Sequence, residues 1–286
     1  MARAAFLEQA KAIAIAVGWI VLFAAVGIAV TTLLVAATRV RDEAGWGMAL
    51  GSACAVAGFG FATWLVGHAL NRRPAAALGW AEPRRLPARV LAGVAIGGLM
   101  AAGAVGLAVV LSGARLEGDA ATGFVSAAAP LGVGLLAAAL AEELMFRGYP
   151  LRRLADAIGP WAATALLAVG FAVAHGANPN VTAFGSVNIA LAAVWLAVAF
   201  FSRGGMPLAW GLHFGWNAGL GVVFEAPVSG LTFDLPAVEY AAGRHAWIDG
   251  GAFGPEGGLV GTLGFGIGAV ALVWVARRMR SAGGVA

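Results

Sequence analysis

The chain has a single cysteine, a single lysine and little charge of either sign. Cys54 alone excludes an intrachain disulfide and any metal site built on paired cysteines. Only 11% of the 286 residues are charged and 61% are hydrophobic, whereas soluble domains carry about a quarter charged residues. Several hydrolase signatures are missing as well. There is no His-Glu-x-x-His for a zinc helix, no Gly-x-Ser-x-Gly nucleophile turn, and no pair of aspartates within the apolar runs. A net charge of +4 would suggest nucleic acid in a soluble protein. Here the arginines lie in short connections between apolar runs, where they act as topology signals.

What is present is a series of apolar stretches of about 20 residues, the length needed to cross a bilayer as helix. They fall near 12–37, 45–70, 89–112, 126–148, 160–176, 186–202, 206–224 and 258–276. The pattern predicts an all-α polytopic membrane protein, one membrane domain over 1–286, with about eight transmembrane helices surrounding an intramembrane cavity. The first run is too long for a signal-peptide core and is expected to be a retained span. With the N-terminus inside, fourteen basic residues fall on the inner side; only Arg39, Arg41, Arg115 and Arg244 fall outside. That bias places both termini in the cytoplasm. The segment 225–257, acidic and rich in Pro and Gly, reads as a partly ordered cap or re-entrant loop. Trp46, Trp80 and Trp161 sit near span ends, as interfacial aromatics do. Gly93/Gly97, Gly211/Gly215 and Gly215/Gly219 have the spacing of close helix contacts, though with 43 glycines the spacing alone carries no functional weight.

Few strongly polar groups interrupt these runs, and their spacing is informative. Glu142 and Glu143 are adjacent, and Glu143 pairs with Arg147 at i,i+4 in the favourable order. Glu142 is rotated about 100° away and has Phe146 as its i+4 neighbour, so it stays available. Phe171 and His175 are i,i+4 on the next span, and His213 and Asn217 are i,i+4 on the seventh. His68 reads as interfacial, and Asn188 as a helix-start residue. Each group alone has a plain explanation as a structural pair or interhelical hydrogen bond. Together they are a free carboxylate, two imidazoles and an amide on three helices. A carboxylate with an imidazole can hold and deprotonate water. A second imidazole with an amide can donate to an oxyanion. Zinc held by Glu142, His175 and His213 is the alternative, with one position open.

In order on successive helices, Glu142-Glu143-x-x-x-Arg147-Gly148, Phe171-x-x-x-His175 and His213-x-x-x-Asn217 resemble the three motifs of the CAAX protease and bacteriocin-processing family (CPBP, Abi-type). This membrane family includes the type II CAAX prenyl endopeptidases. The resemblance covers a motif-bearing core of about 126–224. It implies a cytosol-facing cavity and an intramembrane endopeptidase. Glu142 with His175 would activate water, His213 with Asn217 would form the oxyanion hole, and Glu143, Arg147 and Phe171 would support them. No cofactor is expected, because a second histidine spent as an oxyanion donor leaves few ligands for zinc. The implied partners are membrane lipid and a membrane-anchored peptide or protein substrate, prenylated or not, and no nucleic acid. A chain rich in Ala, Gly and Arg with almost no Lys resembles a bacterial high-GC protein, which puts it in the cytoplasmic membrane. Two rival readings stand beside this one: a non-catalytic immunity or scaffold protein of the same fold, and a transporter with Glu142, His175 and His213 as a relay. Against the transporter, no inverted repeat or matched pair of broken helices is visible.

Overall fold

The computed structural model describes residues 2–39, 45–118, 122–236 and 238–282; Arg41 lies outside them. The protein is an all-α polytopic membrane protein. Its helices are α1 (Ala2–Thr38), α2 (Gly45–Ala62), α3 (Leu86–Ser112), α4 (Phe124–Phe146), α5 (Tyr149–Ile158), α6 (Pro160–Ala174), α7 (Ala183–Phe201), α8 (Gly205–Ala218), the single turn α9 (Ala246–Asp249) and α10 (Leu259–Ala282). π-Helical stretches extend α2 through Leu70 and α8 through Val223. All eight apolar runs are helical, but they differ in reach. Among the described residues five segments are long and apolar enough to cross a bilayer: Ala5–Thr38, Gly45–Leu70, Pro83–Ser112, Phe124–Ile158 and Ala183–Phe201. The 15 residues of α6 rise only about 22 Å, short of a hydrocarbon core of about 30 Å.

Interior packing relies on small residues. Helices α3 and α8 meet backbone to backbone: a Cβ on Gly97 would lie 2.3 Å from the Leu212 carbonyl oxygen, and one on Gly215 2.3 Å from that of Val94. No residue larger than glycine fits there without separating the helices. The glycine spacing therefore has a definite structural role, which is to seat α8 against α3. On the other side of α8, the Trp195, Trp216 and Phe265 rings pack together, the last two with centroids 4.6 Å apart. Trp46 and Trp161 are exposed, while Trp80 is half-buried against the core.

The two ends of the bundle are built differently. At one end Arg73 pairs with Asp156 at 2.6 Å, Arg152 donates to the Ala77 carbonyl, and the Met206 N–H donates to Gly79. Gln9 reaches the Ala157 carbonyl there too. This is the arginine-rich end. At the opposite end, a two-stranded antiparallel ribbon pairs β1 (Arg115–Gly118) with β2 (Val238–Ala241), Arg115 facing Ala241 and Gly118 facing Val238. Ser112 Oγ donates to Asp249 at 2.7 Å, and the Asp249 carboxylate also accepts the Gly243 and Gly251 N–H groups.

The segment 225–257 is more built than its composition suggests. Asn178 donates to the Ser229 carbonyl, and the Gly230 N–H donates to Phe253. Glu256 is 4% exposed and is fully engaged: Oε1 accepts from the Trp216 indole at 2.8 Å, and Oε2 accepts from both the N–H and the hydroxyl of Ser229. Asn188 is not a helix-start residue. Thr182 caps α7, accepting from the Gly185 N–H. Asn188 lies fully buried one turn further on, where its amide nitrogen donates to the carbonyls of Glu256 and Gly258, 2.8 Å each, and its oxygen accepts from Thr262. A buried amide must find partners, and here they come from the cap. The cap is thus tied into the bundle through α7, α8 and α10.

Candidate active site

The polar residues singled out in the sequence converge around one cavity of about 300 Å3. It is lined from α4 by Glu142 and Phe146, from the α6 end by Phe171 and His175, and from α8 by His213, Trp216 and Asn217. The remaining wall comes from Met48 of α2, further residues of α4, and from α7, α10 and the cap, including Ser229, Leu231, Phe233 and Glu256.

Helix α4 delivers the two carboxylates to different places. Glu143 is fully buried, and its Oε1 lies 3.2 Å from Arg147 Nη1 and 2.9 Å from His213 Nδ1. Arg147, itself 2% exposed, stacks its guanidinium 4.3 Å from the centre of the Phe171 ring. A cation over an aromatic face gains electrostatically, more so when desolvated. Sequence spacing identified the Glu143–Arg147 pair; that His213 shares the same oxygen is a tertiary contact it could not show. After Arg147 the helix ends, with both the Arg147 and Gly148 N–H groups donating to the Glu143 carbonyl. The chain then turns into the amphipathic α5, with Pro150 in its first turn.

Glu142 faces the cavity, with its side chain 32% exposed. Its Oε2 lies 3.9 Å from His175 Nε2 and 3.7 Å from His213 Nε2. Both separations exceed hydrogen-bond range, and this buried oxygen has no hydrogen-bond partner among the described residues. His175 caps the C-terminus of α6, where its Nδ1 donates to the Phe171 carbonyl at 2.8 Å. A carbonyl only accepts, so Nδ1 carries the proton and Nε2 of the neutral ring presents a lone pair towards Glu142. By the same reasoning His213 commits Nδ1–H to the Glu143 carboxylate and turns Nε2 to the cavity. Phe171 is the spacer of the site: its ring lies 4.5 Å from His175, 5.1 Å from Phe146 and 6.2 Å from His213. Asn217, one turn beyond His213, lines the same wall. His68 stands apart, bonded to the Arg73 carbonyl near the arginine-rich end.

The cavity continues beyond these residues. From Glu142 and Phe146 it extends along α6, α7 and α8 towards the capped end, where Asn178, Ser229, Leu231 and Phe233 line it. None of the residues that join the arginine-rich end contributes to its wall.

Sequence reasoning missed Glu256 and Ser229 at this site. They lie in a glycine- and proline-rich segment without periodicity, and the only signal was an acidic residue in an otherwise apolar neighbourhood.

Residues 124–219 match the family model described as Rce1-like, type II CAAX prenyl endopeptidase Rce1-like. The match runs from the first residue of α4 to just past α8, so it holds all three motifs. It leaves α1 to α3, the cap and α10 outside. No curated protein and no solved structure matches the chain. A family described by its endopeptidases supports a peptidase in general terms, on a membrane-embedded scaffold.

Proposed function

We propose that the protein is an intramembrane endopeptidase that hydrolyses a peptide bond of a membrane-associated substrate without a covalent intermediate. The observation that carries this reading is Glu142 Oε2, a buried oxygen without a hydrogen-bond partner among the described residues, facing two imidazole nitrogens at 3.7 and 3.9 Å. The carboxylate and the imidazoles are out of direct hydrogen-bond reach of each other, and a water held against them in the cavity is the proposed nucleophile. Glu142 takes the water proton as general base while the His175 Nε2 lone pair orients the second hydrogen, and the oxygen attacks the scissile carbonyl. Glu142 then returns the proton to the leaving amine.

His213 and Asn217 stabilise the oxyanion. For His213 to donate from Nε2 while Nδ1 remains on Glu143, the ring must be an imidazolium. With that proton the buried set of Glu142, Glu143, Arg147 and His213 sums to zero charge, the arrangement that burial favours. Glu143, Arg147 and Phe171 hold the two histidines in place.

The proposed mechanism uses no metal: with His213 spent as an oxyanion donor, only Glu142 and His175 would remain as ligands. The test is cleavage by purified protein in detergent of two peptides, one with a prenylated CAAX terminus and one with an internal scissile bond, with and without chelator. Cleavage of either by wild type, absent in Glu142→Gln and unchanged by chelator, is the expected result. Chelator-sensitive cleavage restored by zinc would replace it with the zinc reading. Cleavage by Glu142→Gln at the wild-type rate would overturn both.

A further inference from the structure

Resting on the peptidase reading, we infer that Thr164 is a positioning residue of the active site, acting on Arg147 through one ordered water.

The donors of Arg147 are the starting point. A guanidinium carries five N–H groups and accepts nothing. Arg147 is 2% exposed, yet neither Nη1 nor Nη2 makes a hydrogen bond to another described residue. Nη1 lies 3.2 Å from Glu143 Oε1, close enough to pair in charge, and the guanidinium sits 4.3 Å from the centre of the Phe171 ring. Charge and ring contact are thus accommodated, while donors at the guanidinium edge still need an acceptor. A buried donor without one is costly, the more so when it is charged.

Beside Arg147 lies a void of about 10 Å3, at the threshold of ~10–15 Å3 that one water requires. Phe146 and Arg147 at the end of α4, Leu151 on α5, Thr164 on α6, and Ala193 and Ala197 on α7 all contribute to its wall. Arg147 and Thr164 supply its only polar side chains. Thr164 is itself 4% exposed, and no hydrogen bond joins its hydroxyl to another described residue. Helical threonines commonly bond the carbonyl one turn back, and this one does not. A water in the void accepts from an Arg147 Nη–H and donates to Thr164 Oγ1, which satisfies both groups at once.

The link matters because of where Thr164 sits. Thr164, Ala168, Phe171 and His175 are spaced i, i+4, i+7 and i+11, so they share one face of α6 and its C-terminal cap. Arg147 then meets that face twice, at the Phe171 ring and through the water at Thr164. The same guanidinium pairs with Glu143, whose carboxylate accepts from His213. Thr164 thereby helps to fix α6 against α4, and with it the place of His175 relative to Glu142. It touches neither substrate nor the reacting atoms, so its effect is on their geometry.

The test uses the purified full chain in detergent. Thr164→Val keeps the shape and removes the hydroxyl, Thr164→Ser keeps the hydroxyl, and Thr164→Val is also made in an Arg147→Met background. Thr164→Val should lower the melting midpoint by about 2–4 °C, Thr164→Ser should recover most of that shift, and Thr164→Val should cost nothing further once Arg147 is Met. In peptide cleavage, kcat should fall about tenfold in Thr164→Val with KM unchanged, as a small displacement of the reacting groups demands, and Thr164→Ser should restore it. A hydroxyl with no such partner predicts instead that Thr164→Val is neutral or stabilising. That result, or an equal loss with and without Arg147, overturns the inference. A lower melt with kcat unchanged overturns the positioning role. If Arg147→Met does not fold, the Val and Ser variants decide alone. If wild type cleaves no peptide, the peptidase reading falls, and the melts still decide the water link.

Discussion

Glu142 and Glu143 are neighbours in the chain and opposites in the structure. Glu143 is sealed into a polar bed, its one oxygen shared between Arg147 and His213. Glu142 instead lines the cavity, and its Oε2, which like Glu143 Oε2 has no hydrogen-bond partner among the described residues, faces the two imidazole nitrogens there. The difference follows from helical geometry, because successive side chains on α4 point about 100° apart. One then faces the α8 histidine's Nδ1 and the other its Nε2. The lesson is that a pair of buried acids can divide the work: one fixes charge and orientation, and the other is left reactive. Arg147 belongs to the first by charge and by its place over Phe171.

The largest expected effect breaks the reactive half. Glu142→Gln keeps the size of the side chain and removes the base, so cleavage should fall by about 10²–10⁴-fold with little change in thermal stability. His175→Ala should act similarly on kcat. Next comes the sealed half. Glu143→Gln leaves Arg147 buried with a neutral partner, a change that in buried pairs costs about 3–5 kcal/mol. A melt in detergent should show it, and the activity lost should track the unfolded fraction. Rescue of cleavage by working well below the melting point would distinguish it from Glu142→Gln.

A smaller effect is expected further from the chemistry. Gly97→Ala drives a Cβ into the α8 backbone and should cost about 1–3 kcal/mol as overpacking, with a fall in kcat because His213 rides on α8. An unchanged melt would mean that the α3–α8 contact is looser than described. Smallest is Glu256→Gln in the cap. Replacing a carboxylate that accepts three hydrogen bonds should cost about 1–3 kcal/mol and raise KM more than it lowers kcat, since Glu256 holds the wall and not the reacting bond.

Much of this was legible in the sequence for a physical reason: helical contacts at i,i+4 are local. The Glu143–Arg147 pair and the Phe171–His175 contact are of that kind, and the apolar runs located the long helices, although α1 begins ten residues before its run and α5 falls outside every run. What stayed hidden depends on contacts far apart in the chain. Glu256 meets Trp216 and Ser229 across 40 and 27 residues, and Asn188 meets the cap across some 70. Ribbon partners β1 and β2 lie on opposite sides of the whole motif region. The glycine spacing was visible, but not which helix it faced. That the cap supplies part of the cavity wall was illegible too, because it depends on contacts distant in the chain and not on any single motif.

The most direct measurement sets the two acids side by side. Purified wild type, Glu142→Gln and Glu143→Gln are compared for peptide cleavage at a temperature where all three are folded by melt. The account predicts that Glu142→Gln is as stable as wild type and inactive, and that Glu143→Gln is less stable yet still cleaves. A stable, active Glu142→Gln would contradict it, since the unpaired carboxylate would then not be the base.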